Sequence, residues 1–351
     1  MAHLSRLVVL APNWLGDAVM ALPAIADVRR QWPHATFGVA ARSGLAPLFE
    51  AVPGVDEVVT LDAAPPRLSV ASDARRLRDG AFDVALLLPN AFRAALVTWR
   101  ARIAERWGYA TDRRGWLLTR RIERPLADRL HQADYYRHLT ASLDIPAGPR
   151  HPVLCASDGA RDAARRILSD AGWRGEPIVG LAPGAAYGSA KRWPPDRVGV
   201  LAARIARELG ALPVLVGAAA DRATAHEVMA AATAAGLPAS AMIDLTGRTE
   251  LATLIGVLEA CSAFVSNDSG AMHLAAALDV RVTAIFGPTR EWATSPLPGP
   301  ADREATIVHT DVDCRPCMLR TCPIDHRCMT RIGVDEVLGP VGRALREQGA
   351  A

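Results

Sequence analysis

Two strand-like runs, Val8-Val9-Leu10-Ala11-Pro12 and Val179-Gly180-Leu181-Ala182-Pro183, each break at a proline into a glycine-containing turn followed by a helical pattern. A short, continuously apolar run is buried on both faces, and a turn leading into a helix carries the chain to a parallel neighbour instead of a hairpin. Seeing this unit twice restricts the chain to parallel α/β architectures. The length of 351 residues exceeds one ordinary core, so two domains of one design are expected.

The rest of the chain keeps the alternation. Strands are expected at Leu7 to Ala11, Thr36 to Ala40, Glu57 to Leu61, Phe82 to Leu88 and Ile103 to Gly108. Helices fall between them at Ala18 to Trp32, Arg67 to Arg78 and Ala91 to Arg102. A second series runs through Ile178 to Ala182, Leu212 to Gly217, Ala241 to Leu245, Ala263 to Ser266 and Val282 to Phe286. A helix from Ala160 to Asp170 lies between His151-Pro152 and the breakers Gly172 to Pro177, which mark the hinge. The expected fold is α/β, two doubly wound Rossmann-like domains facing across a cleft. The first covers 1–172 and the second 173–333, while the helix Val334 to Gln348 within 334–351 packs back on the first. Ligands in such sheets lie beyond the C-terminal strand ends, where both proline turns sit.

Half the residues are hydrophobic and the net charge is +3, which describes a globular chain and argues against a general nucleic-acid binder. The N-terminal apolar run is too short for a signal peptide, and no apolar run reaches membrane-spanning length. A cytoplasmic protein with six reduced cysteines is expected.

Three turns hold the candidate chemistry. After Ala263 to Ser266 comes Asn267-Asp268-Ser269-Gly270, then a helix containing His273. The first amides of a helix are unpaired and its dipole end is positive, so this turn is an anion site; the alternative is that Asp268 or Ser269 simply caps the helix. The Pro183-to-Pro194 turn carries Gly184, Tyr187, Gly188, Ser189 and Lys191. Lys191 is the one lysine among 40 basic residues, placed where a compact ammonium differs from a planar guanidinium. The turn lacks Walker spacing, and no Gly-x-Gly-x-x-Gly fingerprint follows either first strand, so NAD(P) redox chemistry is disfavoured. A diphosphate held between Lys191 and the Ser269-Gly270 turn fits better. The first domain's turn ends in Gly16-Asp17. Asp17 is either a carboxylate placed favourably on the helix dipole or a base accepting a hydroxyl proton.

These turns together resemble the ADP-heptose:lipopolysaccharide heptosyltransferases of the GT-B class. The likeness is carried by Asn13-Trp14-Leu15-Gly16-Asp17-Ala18-Val19-Met20, by Pro183-Gly184-Ala185 through Lys191-Arg192-Trp193-Pro194, and by Asn267 through His273. Leu245-Thr246-Gly247-Arg248-Thr249 and Phe286-Gly287-Pro288-Thr289 add to it, so the match runs from about Leu7 to Ile332 and is most similar to the type II family. The resemblance implies an inverting, metal-independent transfer of L-glycero-D-manno-heptose from ADP-heptose to heptosyl-Kdo2-lipid A, with no cofactor. It implies Asp17 as base and Lys191 on the diphosphate. Gly184, Tyr187, Ser189, Thr249, Asp268, Ser269, Gly270 and His273 would bind the donor, with Asn13 and Trp14 on the acceptor side. It also implies work at the cytoplasmic face of the inner membrane, as a peripheral protein. Another GT-B nucleotide-sugar transferase, including a type I-like enzyme, and a non-catalytic nucleotide-binding protein with a structural metal remain the alternatives.

Two further stretches stand out. Arg93 to Arg137 holds eleven arginines against five acids, and Arg113-Arg114 and Arg120-Arg121 flank an apolar Trp116-Leu117-Leu118. A basic loop with an apolar tip suits an anionic amphiphile or a membrane surface; the alternative is a solvated face. Cys314, Cys317, Cys322 and Cys328 are spaced closely enough to hold zinc or an iron–sulfur cluster, or to remain thiols in a compact loop. Cys155 and Cys261 read as core cysteines.

Overall fold

The computed structural model describes residues 4–62, 66–125 and 129–349. The chain divides into two compact units, Met1–Cys155 and Ala156–Ala351. The first unit holds β1 (Arg6–Leu10), β2 (Thr36–Arg42), β3 (Glu57–Leu61), β4 (Val84–Leu87), β5 (Glu105–Tyr109) and β6 (Arg120–Ile122). They form one sheet in the order β3-β2-β1-β4-β5-β6, every pair parallel. The second unit holds β7 (Ile178–Ala182), β8 (Leu212–Leu215), β9 (Ile243–Asp244), β10 (Cys261–Asn267), β11 (Val282–Ile285) and β12 (Thr306–Val308). Its order is β9-β8-β7-β10-β11-β12, again all parallel.

Counted within each unit, both sheets have the strand order 3-2-1-4-5-6 of a doubly wound fold. The order reverses between β1 and β4 in one unit and between β7 and β10 in the other. Such a switch point leaves a crevice at the strand ends, because the helices leaving the two strands go to opposite faces. The two repeated proline turns follow β1 and β7, so each stands at the switch point of its sheet. The apolar runs explain why these are the central strands: Leu7, Val8, Val9, Ile178 and Val179 are fully buried.

Several expectations are corrected. The helix expected from Ala18 to Trp32 is two helices, Leu15–Met20 and Leu22–Gln31, with Pro23 at the start of the second. Proline removes a donor and crowds the carbonyl four residues before it, so the helix restarts there. The boundary between units lies before the helix Asp158–Asp170, not after it. That helix packs on the helix Leu251–Glu259, where Gly256 admits the Ala160 carbonyl and Arg161 grips Glu259 at 2.7 and 3.1 Å. The last helix, Val334–Gly349, was expected on the first domain; its apolar face (Val337, Leu338, Val341, Ala344) joins the core of the second unit beside Leu201 and Ile205. Strands β6 and β12 were not foreseen, and Cys155 is exposed whereas Cys261 is buried. Burial pushes the Cys261 thiol up to about 12. Among the described residues no helix is long and apolar enough to cross a membrane.

Candidate functional site

At the β7/β10 switch point the two second-unit turns are tied together by one side chain. Asn267, the last residue of β10, donates to the carbonyls of Pro183 at 2.8 Å and Gly184 at 3.4 Å, and accepts from the backbone N–H of Trp193 at 3.0 Å. It therefore pins the beginning and end of the Pro183–Trp193 turn to the strand beside it. The Trp193 ring is fully buried and donates to the Ile332 carbonyl at 3.1 Å. Leaving such buried donors and acceptors unmade costs about 1–3 kcal/mol each, so the turn is held rigidly. Asn267 was visible in the motif but its bridging role was not.

Within that frame Lys191 meets Asp268. The ammonium lies 2.6 Å from Asp268 Oδ2, with only 13% and 6% of the two side chains exposed. Thr289 Oγ1 donates to the same carboxylate oxygen at 2.6 Å. Lys191 also stands 4.8 Å from the centroid of the Tyr187 ring. The carboxylate and the ring face both attract the ammonium, so the side chain is held in one direction.

Asp268 is thus engaged by a cation and a hydroxyl, not by the helix Gly270–Ala277 behind it. Ser269 occupies the N-cap position in extended conformation, but no side chain caps the helix; its hydroxyl pairs with Ser266 Oγ at 2.9 Å. The capping alternative therefore fails, and the first-turn amides keep their anion-binding character. His273 is buried one turn in. Thr249 lies on the turn after β9, half-buried, next to the helix Leu251–Glu259. Ser189 is exposed on the same turn as Lys191.

Two glycines serve packing where ligand approach was expected. A side chain at Gly184 would collide with the Asp221 carboxylate, and one at Gly188 with the Arg320 carbonyl. The second of these leads to the cysteine stretch. Residues of 314–328 form a strap over the Lys191 turn: Tyr187 OH donates to the Met318 carbonyl at 2.8 Å, Ala190 N–H to the Arg320 carbonyl at 3.0 Å, and His326 Nε2 stands 2.7 Å from the Ala190 carbonyl. Met318 N–H also reaches the Pro288 carbonyl at 3.0 Å, beside Thr289. The strap braces both loops that converge on Asp268.

Cys314 and Cys317 are exposed, Cys322 half-buried and Cys328 buried, all as free thiols. Burial first, and then the neighbouring Cys314, Cys317 and Cys322, push the Cys328 thiol up to about 11. Among the described residues no group of three or more His, Cys, Asp or Glu is arranged to hold a metal ion.

The first unit's switch point has different contents. Trp14, exposed, is the N-cap of the helix Leu15–Met20, and Asp17 sits in its first turn with a half-buried side chain. Asn13 is exposed on the same turn. The phenol of Tyr136, buried on the helix Gln132–Ala141, is held well above its ordinary value by burial and then by the Asp17 carboxylate nearby. On the facing turn after β4, Asn90 donates to Tyr135 OH at 2.8 Å, and its own Oδ1 is buried with no hydrogen-bond partner among the described residues. Sequence reasoning missed Asn90, Tyr135 and Tyr136, because their meeting depends on helix packing far along the chain.

The four arginines proposed for an acceptor separate on inspection. Arg114 is fully buried, donating to the carbonyls of Tyr109 at 3.0 Å, Ala91 at 3.2 Å and Pro89. It braces the turns after β4 and β5 and does not face solvent. Arg120 stacks over Trp107 at 5.2 Å and lies 3.5 Å from Asp144. Arg113 and Arg121 are exposed. Of the expected apolar tip only Trp116 points outward, since Leu117 and Leu118 belong to the first unit's core. Residues 126–128 of the basic stretch lie outside the described residues.

Known proteins match this chain along most of its length. The model of glycosyltransferase family 9 (heptosyltransferase) covers residues 70–327. Lipopolysaccharide heptosyltransferase 2 of Salmonella typhimurium is 32% identical over 303 residues, spanning 83% of this chain and 85% of that one. Lipopolysaccharide heptosyltransferase 1 of Pseudomonas aeruginosa is 28% identical over 90% of this chain and 87% of its own. Among solved structures, the ADP-heptose lipopolysaccharide heptosyltransferase II of Escherichia coli superposes with a TM-score of 0.81 at 26% identity, covering 98% and 99% of the two chains.

Proposed function

Since the chain belongs to glycosyltransferase family 9, the heptosyltransferases, we propose that it moves L-glycero-D-manno-heptose from ADP-heptose onto heptosyl-Kdo2-lipid A of the lipopolysaccharide inner core. The observation that carries the donor side is the Lys191–Asp268–Thr289 cluster, set beside an uncapped helix start at the β7/β10 switch point. A nucleoside diphosphate needs cationic and N–H donors at its pyrophosphate, and this is where the second unit offers them. Asp268 orders Lys191 and is not the proton acceptor, because the group it borders is the leaving group.

The acceptor chemistry is assigned to the first unit. Asp17 takes the proton from the attacking hydroxyl, the acceptor oxygen bonds to the anomeric carbon, and the bond from that carbon to the β-phosphate oxygen breaks as ADP leaves. One displacement inverts the anomeric centre. Lys191 and the amides of the Gly270–Ala277 helix receive the charge that grows on the departing diphosphate. Asn13, Trp14, Arg113 and Arg121 are the exposed candidates for acceptor contact, and the enzyme works at the cytoplasmic face of the inner membrane.

The test is incubation with ADP-heptose and truncated lipopolysaccharide, followed by product mass. A product heavier by one heptose, formed from an acceptor that already carries one, supports the type II reading. Transfer only onto heptose-free Kdo2-lipid A supports the type I alternative, the activity named for the Pseudomonas aeruginosa relative. Because Lys191 is the sole lysine, amine-directed labelling reports on it with little background. ADP should protect it; protection by UDP and not ADP would overturn the donor assignment.

A further inference from the structure

The helix Phe92–Arg100 buries one face and leaves another unpaired. Ala94, Ala95, Val97 and Thr98 are buried in the first unit. Phe92, Leu96 and Trp99 recur at the spacing of a second stripe, of which Phe92 and Leu96 touch the core only at its edge. Trp116, from the turn Gly115–Leu117, lies along this stripe, with ring centroids 6.4 Å from Phe92 and 6.3 Å from Trp99. Trp116 is 63% exposed and Trp99 47%. Two tryptophans packed on each other in water leave a contiguous aromatic surface that burial would stabilise.

The charges around it are one-sided. Arg100, Arg102, Arg113 and Arg121 are exposed, and their side chains make no hydrogen bond or ion pair with other described residues. Arg121 passes beside Gly115, next to Trp116. Arginines outnumber acids along this stretch, eleven to five over 93–137, and two of the acids are held locally: Asp112 accepts from the Phe92 N–H at 2.6 Å, and Glu105 accepts from Trp107 Nε1 at 3.0 Å and Thr119 Oγ1 at 2.8 Å. Uncommitted guanidinium groups bordering exposed indoles match the headgroup layer of an anionic bilayer, where phosphates meet the arginines and indole rings settle at the interface.

We propose that the Phe92–Trp99–Trp116 face and its arginine rim dock the first unit on an anionic lipid surface. The proposal rests on the reading that the acceptor is lipid-linked, and it adds which face of the protein meets the bilayer. Its energetic part is carried by Trp99 and Trp116, neither of which is assigned to the donor or acceptor sites.

Flotation with vesicles of phosphatidylethanolamine and phosphatidylglycerol, against phosphatidylcholine alone, tests it. The wild-type protein should float with the anionic vesicles and be released by salt, and the W99S/W116S double variant should lose roughly tenfold or more of that binding. The variant should keep wild-type turnover on a water-soluble, deacylated acceptor fragment while losing turnover on vesicle-borne acceptor. Equal flotation of variant and wild type overturns the proposal, as does wild-type protein that prefers neither lipid. A dimer in sedimentation velocity that the double variant dissolves also overturns it, giving the face to a second copy of the chain. If the wild type has no turnover on the soluble acceptor, the heptosyl-transfer reading fails, while flotation still decides the docking face separately.

Discussion

The two units have the same strand order and the same proline turn after the first strand, yet their switch points are built in opposite ways. In the second unit every loop at the switch point is fastened: Asn267 bridges the Pro183–Trp193 turn, Asp268 holds Lys191 and Thr289, and the strap covers the turn from outside. In the first, the corresponding turn ends in exposed Asn13 and Trp14, and buried Arg114 braces the turns after β4 and β5 instead. One unit offers a positioned cation and helix amides, and the other a carboxylate beside buried phenols. The difference teaches that topology places a site at the strand ends, and that the charge installed there decides which half of a reaction it can serve.

Removing the first unit's carboxylate is the hardest test of that division. Asp17→Asn should lower turnover by roughly 10²–10⁴, the usual share of a general base, with ADP affinity measured by calorimetry unchanged. Near-wild-type turnover would take the proton-accepting role away from the first unit. On the other side, Lys191→Ala should cost on the order of 10²–10³ in turnover together with ADP affinity, and Lys191→Arg should recover only part, because a planar guanidinium cannot occupy an ammonium's place against Asp268 and the Tyr187 ring. Full activity in the arginine variant would show that charge alone suffices there.

Stability effects sharpen the contrast next. Asn267→Ala strands the Trp193 N–H and the Pro183 carbonyl, and should destabilise the second unit by about 2–4 kcal/mol. Arg114→Met removes three carbonyl partners and should destabilise the first unit by a similar or smaller amount. Hydrogen exchange read peptide by peptide assigns each loss to a unit; protection lost equally in both units would mean the fastenings are not local.

The smallest expected effect is on alkaline stability. The Cys261 and Cys328 thiols are pushed up to about 12 and about 11 from an ordinary 9.0, so the folded second unit retains protons that the unfolded chain gives up. Stability is fully present below about pH 9 and declines as pH rises toward those values. In the first unit, Tyr109 and Tyr136 are raised from an ordinary 10.0, while burial lowers Arg114 from 12.5 to about 10 and acts with the opposite sign, so its decline should begin about one pH unit later and be shallower. Exchange measured across this range should therefore show the second unit loosening first.

What the sequence determined by itself was the periodic and the local. Apolar runs of strand length, turns broken by proline and glycine, and helices after them specify two parallel sheets, because each signal lies within a few neighbouring residues. The candidate donor turn was legible for the same reason: Asn267 through His273 is contiguous, and Lys191 stands alone of its kind. Tertiary structure decided which polar groups spend themselves on the fold and which stay available. Arg113 and Arg114 are neighbours of one type, but Arg114 is consumed by three buried carbonyls while Arg113 faces water. Leu117 and Leu118 go into the core while adjoining Trp116 turns out. The cysteine stretch, a metal candidate by spacing, is in place a strap holding the Lys191 turn, through backbone partners more than a hundred residues away. Such partnerships depend on how elements pack, and no local pattern encodes which of two adjacent arginines will find a buried carbonyl.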